Sequence, residues 1–281
     1  MPTPPRRHVG QYVASGDWSD YWTTRISRAE RGRIWVRGYP IEELIEHLSY
    51  SEAAFLLLRG ELPDEREAAL FDLALRCGMD QQLINSAACA ARYTASAFPD
   101  SPVPALASGI LASGSVTGSP QEPAEMLIEA VGGEATVEEA ASRAVDLWLE
   151  RRGAVPGLGH PMHKQAEPRA LTLRRLALER DGWRAHGRLL DAIEAELERR
   201  KGRRIPINLA GALGALLADL GFDPLAIGGI GALGYGMALL AHVVEEIREG
   251  VPLRIIPDAL GAHYAGPGER HLPPDRRRSR P

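Results

Sequence analysis

Cysteine is nearly absent: Cys77 and Cys89 are the two in 281 residues. Two thiols cannot build a disulfide framework or a four-ligand zinc site, so neither a stapled secreted domain nor a structural zinc module fits. Lysine is almost as scarce. Lys164 and Lys201 are the two lysines among 33 basic residues. We read the arginine excess as a GC-rich coding bias, because composition speaks to solubility and not to fold. Net charge is small too, at 33 basic against 37 acidic residues, formally -4, which leaves no electrostatic footprint for nucleic acid. Met1–Gly16 carries no apolar core of the kind a secretory signal needs. A cytoplasmic protein is the expectation. At 44% hydrophobic and 25% charged residues the chain has enough apolar material for a sizeable core, and length suits one large domain or two packed ones.

One long apolar run stands out. Leu225–Val244 has no formal charge over twenty residues, the length of a membrane span. Five glycines dilute it, Asp223-Pro224 precede it, and His242, Glu245 and Glu246 close it. A buried core helix, with no membrane partner, is the reading.

Strand alternation is also scarce; Arg33–Arg37 is the one short candidate. Helical signals dominate. Ile41, Leu44, Ile45 and Leu48 mark one apolar face after Pro40. Ser49 with Glu52, and Thr136 with Glu139, form capping boxes, their helices stopping at Gly60 and Gly153. Pro63 opens a third helix toward Arg76. A loop-rich passage is expected at Thr94–Pro104. Further helices are expected over Ala124–Val131 before Gly132-Gly133, Pro168–Arg180, His186–Lys201, Asn208–Leu220 and Met237–Glu249. The tail from Pro267 reads as disordered. The fold class is mainly α.

Two segments invite a chemical reading. Gly229-Ile-Gly231-Ala-Leu-Gly234 matches G-x-G-x-x-G, but no convincing strand precedes it, and close helix packing accounts for the glycines better than a dinucleotide does. Val155-Pro156-Gly157-Leu158-Gly159-His160-Pro-Met-His163-Lys164 is more specific. Its glycines can bring backbone close to a ligand, and His160 follows them. A loop histidine at a helix start is the plain alternative. Metal binding by His160 and His163 is disfavoured, because no Asp, Glu or Cys stands at ligand spacing.

Several motifs in order resemble the citrate synthase family. Arg37-Gly-Tyr-Pro-Ile-Glu-Glu-Leu44 and Ala53–Pro63 look like its opening. Pro156-Gly-Leu-Gly-His160 with Glu167-Pro-Arg169-Ala170 is similar to its G-x-G-H … D-P-R-A block. Leu239-Leu-Ala-His242-Val-Val-Glu245-Glu246 resembles its late A-H-x-x-E helix, and Tyr264-Ala-Gly-Pro267 its closing turn. The compact length, Ala91-Arg92 and Asn208-Leu-Ala-Gly211 look like the citryl-CoA lyase branch. The resemblance covers roughly residues 23 to 267. It implies an all-α homodimer, with a large helical domain from 1–85 and 221–281 and a small one from 86–220 closing over ligands; the ends, 1–16 and 268–281, would be flexible. It also implies joining or cleaving a C–C bond between an acyl-CoA and a 2-oxo acid. Coenzyme A would enter as a thioester substrate, with no permanently bound cofactor and no metal.

Carried over by position, the resemblance makes His160 the group that polarises the oxo carbonyl and Arg169 a carboxylate binder, where a bidentate fork suits the anion. Arg254 corresponds to a late arginine that reaches across the dimer. Asn208 joins the substrate-binding set. Pro156, Gly157, Leu158, Gly159 and Lys164 would meet coenzyme A. The chain departs from the family where chemistry is densest. Asn85 stands where a histidine is usual, Ala210 where the catalytic aspartate is usual, and Tyr235 where a second carboxylate-binding arginine is usual. The H-G-G-A passage is replaced by Thr117-Gly-Ser-Pro120. Ala210 cannot take a proton. Asn85 can still donate to an oxyanion. The pocket should prefer a substrate less negative than oxaloacetate. Two functions stay open: an enzyme of altered chemistry on an acyl-CoA and a carboxylate substrate, or a non-catalytic binding or regulatory subunit.

Overall fold

The computed structural model describes residues 7–80, 82–83, 85–114, 118–132 and 136–276. Thr117 and Gly133, both named above, lie outside them, as do the outermost residues of both ends. Thirteen α-helices follow one another among the described residues: α1 Val9–Ser15, α2 Ile41–His47, α3 Tyr50–Arg59, α4 Glu65–Cys77, α5 Ser86–Ala95, α6 Val103–Leu111, α7 Gln121–Val131, α8 Val137–Arg152, α9 Pro168–Glu179, α10 Ala185–Lys201, α11 Leu209–Asp219, α12 Pro224–Gly234 and α13 Gly236–Glu249. The mainly α expectation holds.

The helix ends follow local chemistry. Ser49 accepts from the Glu52 N–H while the Glu52 carboxylate returns to the Ser49 N–H, and Thr136 and Glu139 do the same. Both helices close on a glycine in the left-handed region. For α4 the starter is Asp64, boxed with Glu67, and not Pro63. The passage expected as loop shrinks to residues 96–102. Pro104 falls in the first turn of α6, where its missing N–H has no intrahelical partner to lose. The strand at Arg33–Val36 (β2) belongs to a three-stranded antiparallel sheet with Ser27–Glu30 (β1) and Tyr39–Pro40 (β3).

Two apolar cores form. The larger joins α3 and α4 to α7–α12, with Phe55, Phe71 and Phe222 in mutual ring contact at 5.2–5.6 Å between centroids. The smaller packs α5 and α6 against α13 through Ala87, Ala88, Ala91, Ala95, Ala105, Leu239 and Val243.

The long apolar run corrects the sequence reading. Pro224–Glu249 is long and apolar enough to cross a membrane by composition, but it is two helices that meet at Tyr235. It is also not a buried core helix in the single chain. Ile227, Ile230, Leu239 and Val243 are buried, whereas Leu225, Leu233 and Met237 are 71%, 66% and 77% exposed. The glycine-rich motif lies inside α12 with no strand before it. A Cβ at Gly231 would lie 2.4 Å from Pro120 Cδ, so close packing on the start of α7 explains that glycine. Gly229 and Gly234 face open space.

The aromatic trio yields a stability prediction. Phe222 is 3% exposed, and Phe222→Ala should cost about 3–5 kcal/mol of unfolding free energy. Phe98, 48% exposed, should cost within about 0.5 kcal/mol when truncated. Urea unfolding midpoints for the two variants check the contrast.

Candidate active site

A cavity of about 560 Å³ opens where α4, α5, α9, α11 and α12 converge. Six of the site residues singled out in the sequence line it: Asn85, Gly159, His160, Arg169, Asn208 and Tyr235. So does Ala210. No Asp or Glu lines it among the described residues.

The His160 loop is hung on the start of α11. Gly159 N–H donates to Pro206 O at 2.7 Å, and Asn208 N–H donates to Gly157 O at 2.9 Å. Asn208 Nδ2 donates to Gly159 O at 2.8 Å, and its Oδ1 accepts from Gly211 N–H at 3.0 Å. Both ends of the Asn208 amide are thus used in joining loop and helix. The glycines have the same origin. Gly157 has φ +81°, and a Cβ there would lie 2.7 Å from Gly211 Cα; a Cβ at Gly211 would lie 2.4 Å from Gly157 O. The close approach foreseen at Gly157 is therefore to α11. Pro156, Gly157 and Leu158 do not line the cavity; Gly159 does.

The neutral His160 ring is held in one tautomer. Its Nδ1 accepts from Met162 N–H and His163 N–H, both at 3.1 Å. An imidazole nitrogen that accepts two backbone donors carries no proton, so the proton sits on Nε2. Burial lowers the His160 pKa below 6.5, and the neighbouring His163, whose ring centroid is 4.5 Å away, lowers it further. The result is a neutral imidazole that donates through Nε2. Lys164 Nζ donates to His160 O at 3.1 Å, so it braces the loop.

Arg169 is held by two bonds on the cavity wall. Nε donates to the buried Glu167 carboxylate at 2.8 Å, and Nη1 to Asp80 O at 2.9 Å. The other Glu167 oxygen caps α9 through Ala170 N–H at 2.7 Å. Asn85 is the N-cap of α5, its Oδ1 accepting from Ala87 N–H at 2.7 Å. Tyr235, at the junction of α12 and α13, is bonded to Ser113. Ser113 also lines the cavity, and the sequence reading missed it.

Arg254 lies outside this cavity. Its Nε and Nη2 donate to buried Glu246 at 2.5 and 3.0 Å, while Arg92 Nε donates to the same carboxylate at 2.7 Å. The Arg254 bond holds the Glu246 pKa below its ordinary value, against the effect of burial. The cluster ties α5, α13 and the following segment together.

The chain belongs to the citrate synthase family: the sequence profile of "Citrate synthase, C-terminal domain" matches residues 20–76 and 63–256. The structure of citryl-CoA lyase from Hydrogenobacter thermophilus is similar, at 30% identity and TM-score 0.83, covering 90% of this chain and 98% of that one. ATP citrate lyase from Methanothrix soehngenii, solved with citrate and coenzyme A, shares the fold at 21% identity and TM-score 0.75 over 96% of this chain and 46% of that one. A citrate synthase of Deinococcus radiodurans is 28% identical over 80% of this chain. The match spans 58% of that protein's length, and 13% of the length of a 45% identical 2-methylcitrate synthase of Mycobacterium tuberculosis, which covers 17% of this chain.

The neutral His160 gives a pH prediction. Its folded pKa is lowered, so the unfolded chain takes up a proton first as pH falls below about 6.5. Stability should be full above that value and decline as pH drops toward the folded pKa. NMR titration of the His160 ring should give a midpoint below 6.5; a midpoint at or above it contradicts the lowered pKa.

Proposed function

We propose that this citrate synthase family member is an enzyme that forms or breaks a C–C bond between an acyl-CoA and a carboxylate substrate, and that it is not an authentic citrate synthase. One observation carries the proposal: a single cavity is lined by a neutral histidine donor, an arginine and an asparagine, but by no Asp or Glu among its described lining residues.

His160 Nε2–H polarises a carbonyl oxygen, and such a donor in a water-poor site stabilises charge as it develops. Arg169 anchors a carboxylate through Nη2, the guanidinium nitrogen that Glu167 and Asp80 O do not take. Asn85 donates to the enol or enolate oxygen of the thioester. Asn208 acts by holding the His160 loop. Coenzyme A reaches the site beside Gly159; the complex of the Methanothrix relative with citrate and coenzyme A supports that ligand class. The exposed apolar face bearing Leu225, Leu233 and Met237 supports a homodimer, since patches of this kind mark interaction sites. The protein acts in the cytoplasm.

Ala210 leaves the α-proton without a base. An acyl-CoA carrying a carboxylate on its α-carbon avoids the need for one. The C–C bond to that carboxylate breaks, CO₂ leaves, and the electron pair remains as the thioester enolate, which attacks the carbonyl held by His160. Nε2–H donates a hydrogen bond to the new alkoxide, which takes its proton from solvent water, so the imidazole stays neutral. Removal of a general base costs about 10²–10⁴-fold where a reaction needs it, and this route does not.

The absence of a carboxylate from the lining also fits a non-catalytic binding subunit, the second reading, but the ordered His160 donor in the same cavity as Arg169 favours the enzyme. Turnover separates the two. The protein should release negligible free thiol from acetyl-CoA with oxaloacetate, and cleave citryl-CoA negligibly. A panel of acyl-CoAs should raise its melting temperature, with about 2.7 kcal/mol gained at a hundred times the dissociation constant. An α-carboxylated acyl-CoA with a 2-oxo acid should give turnover that His160→Ala abolishes. Robust citrate synthesis would overturn the proposal, and ligand binding with no turnover across the panel would favour the subunit.

A further inference from the structure

Two hydroxyls on the cavity wall form a relay. Tyr235 Oη donates to Ser113 Oγ, and Ser113 Oγ donates to the Gly109 carbonyl at 3.0 Å. Each hydroxyl has one proton, and both are spent along the relay into α6. What the pair turns to the cavity is lone pairs. Tyr235 is 6% exposed and packs in the smaller core with Leu239 and Val243, so its ring is not free to swing away. Acceptor lone pairs favour an N–H or O–H group and disfavour a carboxylate, which finds no donor in this pair.

The charges on the wall point the same way. Arg169 is the one Lys or Arg lining the cavity among the described residues. Arg254 is bound through Nε and Nη2 by Glu246 in its own chain. From the hydroxyl relay and the single arginine, we infer that the pocket selects a substrate with one carboxylate, taken by Arg169, and a neutral hydrogen-bond donor, a carboxamide or a hydroxyl, received by the Tyr235–Ser113 pair. Ser113 is thereby a specificity residue. The inference rests on the proposed acceptor site and narrows its substrate class.

Isothermal titration of the full chain with oxaloacetate and with 2-oxosuccinamate tests it, since the two differ only in a distal carboxylate against a carboxamide. The amide should bind about tenfold tighter, the margin of one good hydrogen bond. Tyr235→Phe should bring the two affinities within about twofold of each other. Ser113→Ala leaves the Tyr235 proton without its acceptor and able to turn into the cavity, so oxaloacetate should gain relative to the amide; a merely structural role would weaken both ligands alike. Melting curves establish that each variant is folded, and either variant alone carries the test. Oxaloacetate binding as tightly as the amide, or an amide preference that survives Tyr235→Phe, overturns this inference and leaves the acceptor site standing. Failure of both ligands to bind overturns the acceptor site and this inference with it.

Discussion

The backbone of Gly157 lies against the backbone of Gly211, and the candidate site depends on that contact. No side chain fits between the two: a Cβ on either would fall inside 3 Å of the other residue. Because the loop and the first turn of α11 can approach so closely, Asn208 can bridge them with its main chain and with both ends of its side chain. Bonds of this kind contribute about 0.5–1.5 kcal/mol each. Their joint effect is to fix where the chain leaves Gly159. His160 follows, and the turn after it aims two N–H groups at Nδ1. The tautomer of the neutral histidine is thus a consequence of a backbone contact three residues earlier. The same contact sets residue 210 on the cavity wall, one position before Gly211, which is why the side chain there matters to the chemistry.

Two buried carboxylates divide the arginines. Glu167 and Glu246 are the buried charged residues of the described chain, and a buried ion is tolerated when it is paired and hydrogen-bonded. Each takes an arginine. Glu167 uses one oxygen for Arg169 Nε and the other to cap α9, so Arg169 is steadied at the cavity wall. Glu246 takes both Nε and Nη2 of Arg254, and Arg92 besides, so Arg254 becomes part of the scaffold. The same residue type is presented in one case and withdrawn in the other, according to how much of its fork the carboxylate uses.

What was legible in the sequence was what a few neighbouring residues decide. Capping boxes at Ser49 and Thr136 read correctly because their partners stand three residues away. Helices α5 and α6 did not, because α5 buries alanines and gives little contrast between its faces. The run at Leu225 read as one buried helix because composition does not reveal a break at Tyr235 or a face left exposed. Family motifs pointed to Asn85, His160, Arg169, Asn208 and Tyr235, which share one cavity, but also to Arg254 and Lys164, which do not. The glycines of the His160 loop suggested a ligand lying close to the backbone, whereas the group that crowds Gly157 is Gly211. Ser113 was invisible, since its meaning comes from a bond to a residue 122 positions away.

On the proposed reading, the departures from the family pattern compensate one another. Alanine in place of an aspartate at 210 removes a negative charge from the cavity, and tyrosine in place of an arginine at 235 removes a positive one. The sum is unchanged, so the replacements leave the balance of charge around His160 roughly where it was. That agrees with burial being the leading cause of its lowered pKa, ahead of any neighbouring charge. Either replacement alone would alter that balance: an unpaired aspartate would raise the histidine's pKa, an unpaired arginine would lower it further. Together they withdraw a proton acceptor and an anion anchor while keeping the neutral imidazole donor. Such a pocket suits a reaction that still polarises a carbonyl, but that neither removes an α-proton nor grips a second carboxylate.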